Sequence, residues 1–329
     1  MYMSKILKIL KCFLPYGLVA YSRKREKAKF KDTLKSYGSE NPDKTFYITG
    51  VVDQRGGLLW LMLFNLNRIV SAIEKGWIPV VDWQNQSNQY LENTNFHKEN
   101  AWEYYFEQPC NYNLNSIKNS KNIILGNGTQ SVDYLINDYF LEINDEYFPY
   151  LKEKFKRYVR FNHYTRNYVE NEYKTLLKNK EKVLGILCRG TDYTLKKPEG
   201  HPVQPKPEKV IEKAKEVIAA QKLNYIYLAT EDHDIYELFK KEFGNILLTN
   251  KQDRFTKQEM AEVQYLYQIK HDRENDKYLL GLEYLSSLYI LSKCHSFIGG
   301  RTRGTTGVLL MTNGFDYQYI WNLGIYMDE

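Results

Sequence analysis

The chain of 329 residues is 43% hydrophobic and 26% charged, the balance of a folded globule, which excludes a disordered polymer and a multi-span membrane protein. Its length allows two domains of ordinary size, each with its own core. The net charge of +6 is unevenly placed: residues 1–35 hold ten Lys or Arg against Glu26 and Asp32, so the rest of the chain is slightly acidic and a basic nucleic-acid-binding body is excluded. Cys12, Cys110, Cys188 and Cys294 stand far apart with no CxxC spacing, the usage of reduced, cytosolic thiols. Aromatic residues reach 15%, with 29 Tyr, a composition that suits clefts holding sugars, bases or acyl chains.

Residues 1–36 read as an arm. Ile6, Leu7, Ile9, Leu10, Phe13 and Leu14 recur at near-helical spacing, Lys5, Lys8 and Lys11 take other positions, and Pro15 ends the run, which predicts a short basic amphipathic N-terminal helix. With the Arg23-Lys24-Arg25 cluster behind it, such a helix suits an anionic bilayer surface; docking on the protein itself is its structural alternative. No apolar run approaches the roughly 18 residues that would span a bilayer, and a secretory signal fits poorly without a small-residue cleavage site. The expected location is therefore cytoplasmic, peripheral on the inner face of the cytoplasmic membrane.

From Lys44 the chain alternates strand-like and helix-like segments. Residues 45–49 predict a strand, a Gly-rich turn passes through Gly56 and Gly57, a helix runs from Leu58 to Glu74, and a strand runs from Ile78 to Asp82; this β-loop-α-β unit implies a parallel sheet. Gln84 to Tyr112 is polar and aromatic, like a cleft-side loop with short helices, and Asn122 to Leu125 adds a strand. A charged helical region from Glu146 to Lys180 joins the halves. Strands are then expected at 183–187, 225–229, 246–248 and 296–298, alternating with helices at 208–221, 234–243 and 277–292, before a Gly-rich turn and a last helix. This alternation means a doubly wound α/β fold with ligands at the carboxyl ends of strands. Residues 37–180 are expected to form one Rossmann-like domain and residues 181–329 a second.

Three strand ends carry candidate chemistry. After Leu187 come Cys188-Arg189-Gly190-Thr191-Asp192; an Arg just past a buried strand, beside a Gly, offers a diphosphate permanently charged bidentate donors, with Asp192 to orient it. A loop-tethering Arg-Asp pair is the plain alternative. After Ala229, the carboxylates of Glu231 and Asp232 stand where they can accept from the N1–H and amine of guanine or from ribose hydroxyls, or cap the following helix, as Asp234 equally can. After Ile298, the run from Gly299 to Gly307 holds Arg301, Thr302, Arg303, Thr305 and Thr306, placing backbone N–H groups, a helix dipole and cations around one anion; a simple glycine-rich turn is the alternative. Asp232-His233-Asp234 has the outline of a cation-binding DxD, but the arginines can neutralise a diphosphate alone, so no metal ligand is expected.

Taken together and in order, Cys188–Asp192, Tyr227–Asp232 and Leu291–Gly300 resemble three motifs of the fucosyltransferase superfamily, in the branch of the bacterial nodulation and core α1,6-fucosyltransferases and the protein O-fucosyltransferases. The resemblance covers residues 183–315, and the first half only loosely. It implies a GT-B arrangement of two Rossmann-like domains facing a cleft, with inverting, metal-independent transfer from a GDP-sugar and no cofactor. By position, Arg189 resembles the arginine on the donor diphosphate and Asp232, with Glu231 beside it, the carboxylate that reads guanine. Thr302, Arg303, Thr305 and Thr306 fall on the turn that by similarity cradles phosphates. Glu199 occupies about the region of the α1,6 branch's catalytic glutamate, with Asp192, Asp53 and His201 as rival bases. The chain departs from the branch at Leu187, where a His is usual, at Gly190, where a second Arg is common, and at Gly57-Leu58-Leu59-Trp60, where some branches have a Gly-Asn-Gln type of loop.

The expected function is transfer of fucose, a related deoxy-sugar or a heptose from a GDP-sugar to a glycan or lipid-linked oligosaccharide in surface polysaccharide biosynthesis, as of capsule or lipopolysaccharide. The partners are then the nucleotide-sugar, the acceptor and an anionic membrane surface met through residues 1–35, with no nucleic acid. The competing readings are a non-catalytic nucleotide, phosphate or glycan binding protein, and a transferase of another phosphoryl-linked group.

Overall fold

The structure, a computed structural model, describes residues 32–51, 53–126, 147–263, 266–269 and 271–327; the basic helix expected in the arm lies outside the described residues. The first half contains strand β1 (Thr33–Lys35), β2 (Phe46–Gly50), helix α1 (Leu58–Glu74), β3 (Ile78–Asp82), the single turn α2 (Leu114–Ile117) and β4 (Ile123–Leu125). These strands form a sheet in the order β1-β4-β2-β3, with β2 parallel to β3 and β4, and β1 antiparallel to β4. Strand β1 is exposed along its length and carries no apolar alternation, so residues 33–35, read from sequence as part of the arm, instead edge the sheet.

Helix α1 is apolar nearly all round, with Leu58, Leu61, Met62, Leu66 and Ile69 buried, and such a helix must lie between layers. Each large side chain so buried contributes about 1.5–3 kcal/mol. Its polar Asn65 finds partners inside the core, accepting from Thr49 Oγ1 at 3.0 Å and donating to Leu61 O at 2.8 Å. The helix ends where Gly76 adopts φ 73°, a left-handed turn that reverses the chain into β3.

Two helices, α3 (Tyr147–Tyr158) and α4 (His163–Leu177), stand where one helical region was expected. The break is made by Asn162, whose extended backbone and side-chain oxygen cap α4 by accepting from Thr165 N at 2.8 Å.

The second half runs β5 (Val183–Leu187), α5 (Thr191–Lys196), α6 (Pro207–Gln221), β6 (Tyr225–Ala229), α7 (His233–Phe243), β7 (Leu247–Leu248), α8 (Lys257–Ala261), α9 (Asp276–Leu291), β8 (Ser296–Gly300), α10 (Arg303–Met311) and β9 (Tyr317–Trp321). Its sheet is parallel throughout in the order β7-β6-β5-β8-β9. Every residue of the central β5 is buried, as a parallel strand covered on both faces requires. One core cluster joins α1 to α9 and α10 through Leu61, Leu285, Leu288 and Val308; another covers the opposite face of the second sheet through Val210, Ala214, Ile226 and Phe239. The strand order departs to one side of β5 through β6 and β7 and to the other through β8 and β9. Between the carboxyl ends of β5 and β8 lies the switch point, where doubly wound sheets open a crevice.

Candidate active site

A cavity of about 580 Å³ occupies that crevice, within the range of small-molecule sites. The first half supplies its Asp53–Trp60 turn and Tyr90; the second supplies Arg189, Glu231 and the turn from Thr302 to Gly304. Helices α1 and α10 both begin on the wall, at Leu58 and Arg303, so the positive ends of two helix dipoles meet there.

Arg189 emerges two residues beyond β5 with its Nε 3.3 Å from Glu231 Oε1 and its guanidinium 4.7 Å from the centre of the Tyr193 ring. The same Glu231 oxygen accepts from Gly190 N at 3.2 Å and from Thr191 Oγ1 at 3.0 Å. Thr191 has φ 48°, a left-handed conformation unusual for a β-branched residue, of a kind that costs about 1–3 kcal/mol and persists only where its surroundings hold it. Asp232 does the holding: its Oδ2 accepts from Thr191 N and its Oδ1 from Ile235 N, each at 3.0 Å.

Asp232 is thus the N-cap of α7, 4% exposed, and is not among the described residues lining the cavity, whereas Glu231 is. Of the two roles the sequence left open for it, the cap is the one its side chain takes. A Cβ at Gly190 would lie 2.2 Å from Asp232 Oδ2, which accounts for the glycine where a second arginine is common: no side chain fits without displacing the cap. Asp234 pairs with Lys257 at 3.2 Å, so the two carboxylates of the Asp232-His233-Asp234 sequence are engaged with different partners.

On the opposite strand end, Thr302 caps α10 by accepting from Thr305 N at 3.1 Å. Thr302 and Arg303 line the cavity. Thr305, donating from Oγ1 to Gly300 O, and Thr306, donating to Thr302 O at 3.4 Å, brace the turn behind them.

The candidate bases separate. Glu199 is exposed and is not among the described wall residues; His201 lines the wall, its ring edge-on to Tyr193 at 5.3 Å and its Nδ1 3.2 Å from Glu199 O. The loop carrying His201 is paired to the chain after β9: Gly200 N donates to Tyr326 O and Tyr326 N to His201 O, both at 2.9 Å, and Val203 N donates to Gly324 O at 3.0 Å. Asp53 also lines the wall, but Arg55 grips both its oxygens at 3.0 and 2.7 Å and the guanidinium holds its carboxyl below the usual range. Asp192 belongs to α5, and its side chain lies outside what is described.

Sequence reasoning missed Tyr90, Tyr284, Asp253 and Glu283, all on the wall. Burial pushes the Tyr284 hydroxyl up to about 12, against the pull of Arg189, so it stays protonated and able to donate. Arg273 anchors this side by pairing with Asp253 at 3.1 Å and with Asp276 and Glu283 at 2.7 Å. The available signal was the run of Glu283, Tyr284, Ser286 and Ser287 interrupting the otherwise apolar α9.

No protein-family profile matches the chain, and no curated protein sequence matches it. Among solved structures it is similar to the NodZ alpha-1,6-fucosyltransferase of Bradyrhizobium soaked with GDP-fucose, with a TM-score of 0.50 and 14% identity over 82% of this chain and 93% of that one. It is likewise similar to POFUT1 in complex with GDP-fucose, with a TM-score of 0.51 and 10% identity over 86% of this chain and 99% of that one. The likeness is one of fold: this chain has a mixed α/β, fucosyltransferase-like fold of the GT-B type.

Proposed function

We propose that the chain is a glycosyltransferase that moves fucose, or a related deoxy-sugar or heptose, from a GDP-linked donor to a glycan acceptor, with inversion and without a metal. The observation that carries this reading is the convergence of Arg189, the first turn of α10 and Glu231 on one cavity at the switch point. The GDP and GDP-fucose bound by fold relatives support GDP as the nucleotide. A role in surface polysaccharide assembly at the inner face of a membrane, reached through residues 1–35, belongs to the same proposal and draws on the basic, apolar-striped sequence of that arm.

In this reading the donor diphosphate lies against Arg189 and the N-terminus of α10, with Arg303 beside it. As the sugar C1–O bond to the diphosphate breaks, its electron pair passes to a phosphate oxygen, where a guanidinium and helix N–H groups receive the charge. The acceptor oxygen forms the new bond to C1, and its proton goes to a base. His201 fits the base better than Glu199. The Glu199 carbonyl beside Nδ1 can only accept a hydrogen bond, and a neutral imidazole donating to it would carry its lone pair on Nε2. Asp53, clamped by Arg55 and stabilised as the anion, is a weaker base. In this reading Glu231 meets guanine or ribose, and Asp232 supports it by fixing Thr191, whose hydroxyl donates to Glu231.

Thermal unfolding with GDP, UDP, CDP and ADP, each with and without EDTA, tests the proposal. A ligand bound only by the folded state at a hundredfold over its Kd stabilises it by about 2.7 kcal/mol. A shift with GDP that survives EDTA is the expected result; a shift with another nucleotide, a shift lost to chelator, or none at all would overturn it.

A further inference from the structure

A groove of about 350 Å³ opens where the loop after β3, helix α4 and the start of α9 meet. Tyr90 lines both it and the cavity, so the two spaces lie one ring apart. Their charge differs. The cavity wall sets Arg55, Arg189, Lys196 and Arg303 among the carboxylates Asp53, Glu231, Asp253 and Glu283, whereas the described residues lining the groove hold the carboxylates Glu92, Glu99 and Glu103 and no lysine or arginine.

The remaining lining is aromatic and amide-bearing. Tyr164 stands 75% exposed on α4, a large ring face left in water, and Tyr104 meets Tyr278 edge-on at 5.8 Å. The carboxylates are braced in place: the Tyr104 hydroxyl and Asn95 Nδ2 both donate to Glu99 Oε2, the latter at 3.0 Å, and Gln108 Nε2 donates to Glu103 Oε1 at 2.8 Å. Burial first, and Glu99 second, push the Tyr104 hydroxyl up to about 12, so this donor persists across neutral pH.

A pyranose ring presents an apolar C–H face and a rim of hydroxyls, which are met by tyrosine faces and by braced carboxylates and amides respectively. Glu92 is paired with Lys277 Nζ at 3.8 Å, and Glu99 and Glu103 leave the groove acidic beyond that pair, so it repels anions and attracts ammonium groups. We infer that this groove is the acceptor-glycan subsite, holding neutral or amino-bearing sugar units beyond the one that receives the transferred sugar and rejecting uronic, sulfated or phosphorylated ones. The inference rests on the glycosyltransferase reading for its role and on the groove alone for its ligand class.

The test is titration of the full chain with three tetrasaccharides on one β1,4-glucan backbone, cellotetraose, its 2-amino counterpart and its 6-carboxylate counterpart, followed by calorimetry or saturation-transfer NMR. The neutral and amino tetramers are expected to bind, the amino form more tightly at low salt, and the carboxylate form at least tenfold more weakly. Tyr164→Ala, a change at an exposed position that leaves the fold unburdened, is expected to weaken the neutral tetramer at least fivefold, and Glu92→Gln to narrow the preference for the amino form. Absence of binding by both favoured tetramers, equal binding of the carboxylate form, or unchanged affinity in Tyr164→Ala would overturn the inference. The GDP-induced thermal shift, read in the same samples, separates the failures: a retained shift without glycan binding removes the groove assignment alone, and glycan binding without the shift removes the donor reading alone.

Discussion

Arg189 is held from two sides, by the Glu231 carboxylate at 3.3 Å and by the face of Tyr193 at 4.7 Å, so its guanidinium is oriented before any ligand arrives. Arg189→Ala is expected to abolish stabilisation by GDP and to lower transfer by about 10²–10³, the usual effect of removing one preorganised donor to a developing charge. Arg189→Lys should recover only part of this, because an ammonium lacks the planar fork and the stacking on Tyr193. GDP titration of the two variants checks both. The base assignment divides at a single pair. His201→Ala should cost about 10²–10⁴ in turnover while the GDP shift survives, and Glu199→Gln should behave like the parent. Single-turnover rates across pH decide it; loss in Glu199→Gln with His201→Ala active would hand the role back to the glutamate.

At the scale of elements, the site is set by caps. Asp232 caps α7 and, through Thr191, fastens the start of α5 to the end of β6. Removing an ordinary cap costs about 0.5–2 kcal/mol. Asp232→Ala should exceed that range, since it also releases a left-handed Thr191; chemical denaturation of the unliganded protein measures it. A fold as stable as the parent would return Asp232 to reading the base. What could be read from the chain follows the same physics. Helix α1 starts and stops where its apolar run and Gly76 place it, and β5 announces itself by the uncharged, apolar run Val183-Leu184-Gly185-Ile186-Leu187, all of it buried. By contrast α5 is a short helix in a polar stretch, stabilised by contacts to Glu231 and Asp232 from a different strand end, and β1 is a fully exposed edge paired with β4. Neither has a local signal. The site divides likewise: Arg189, Glu231 and Thr302 stand at strand ends and are legible, while Tyr90, Tyr284 and Glu283 reach the cavity from a loop and from α9, and only the tertiary fold brings them in.

For the whole molecule, tyrosine sets the alkaline limit. Burial is the first cause that pushes the hydroxyls of Tyr47, Tyr104, Tyr168 and Tyr284 up to about 12 from an ordinary 10, and Tyr105 and Tyr227 rise too. A group that keeps its proton longer in the fold than in the open chain favours the fold fully below the open-chain value and ceases to do so as pH climbs through the folded one. Stability is therefore expected to fall between about pH 10 and 12, with tyrosinate absorbance and circular dichroism changing together in one transition. Smooth ionisation near pH 10 with the dichroism intact would show these hydroxyls to be accessible.

The loop bearing His201 hangs on Tyr326, and Val203 on Gly324. A ribosome makes the amino-terminal half first, and every strand of both sheets, β9 included, precedes residues 324–326 in the chain. A nascent chain can therefore bury most of its core while one wall of the cavity is still loose. Completion of the core and closure of that cavity wall are separate moments for this protein, and the second waits on residues 324–326.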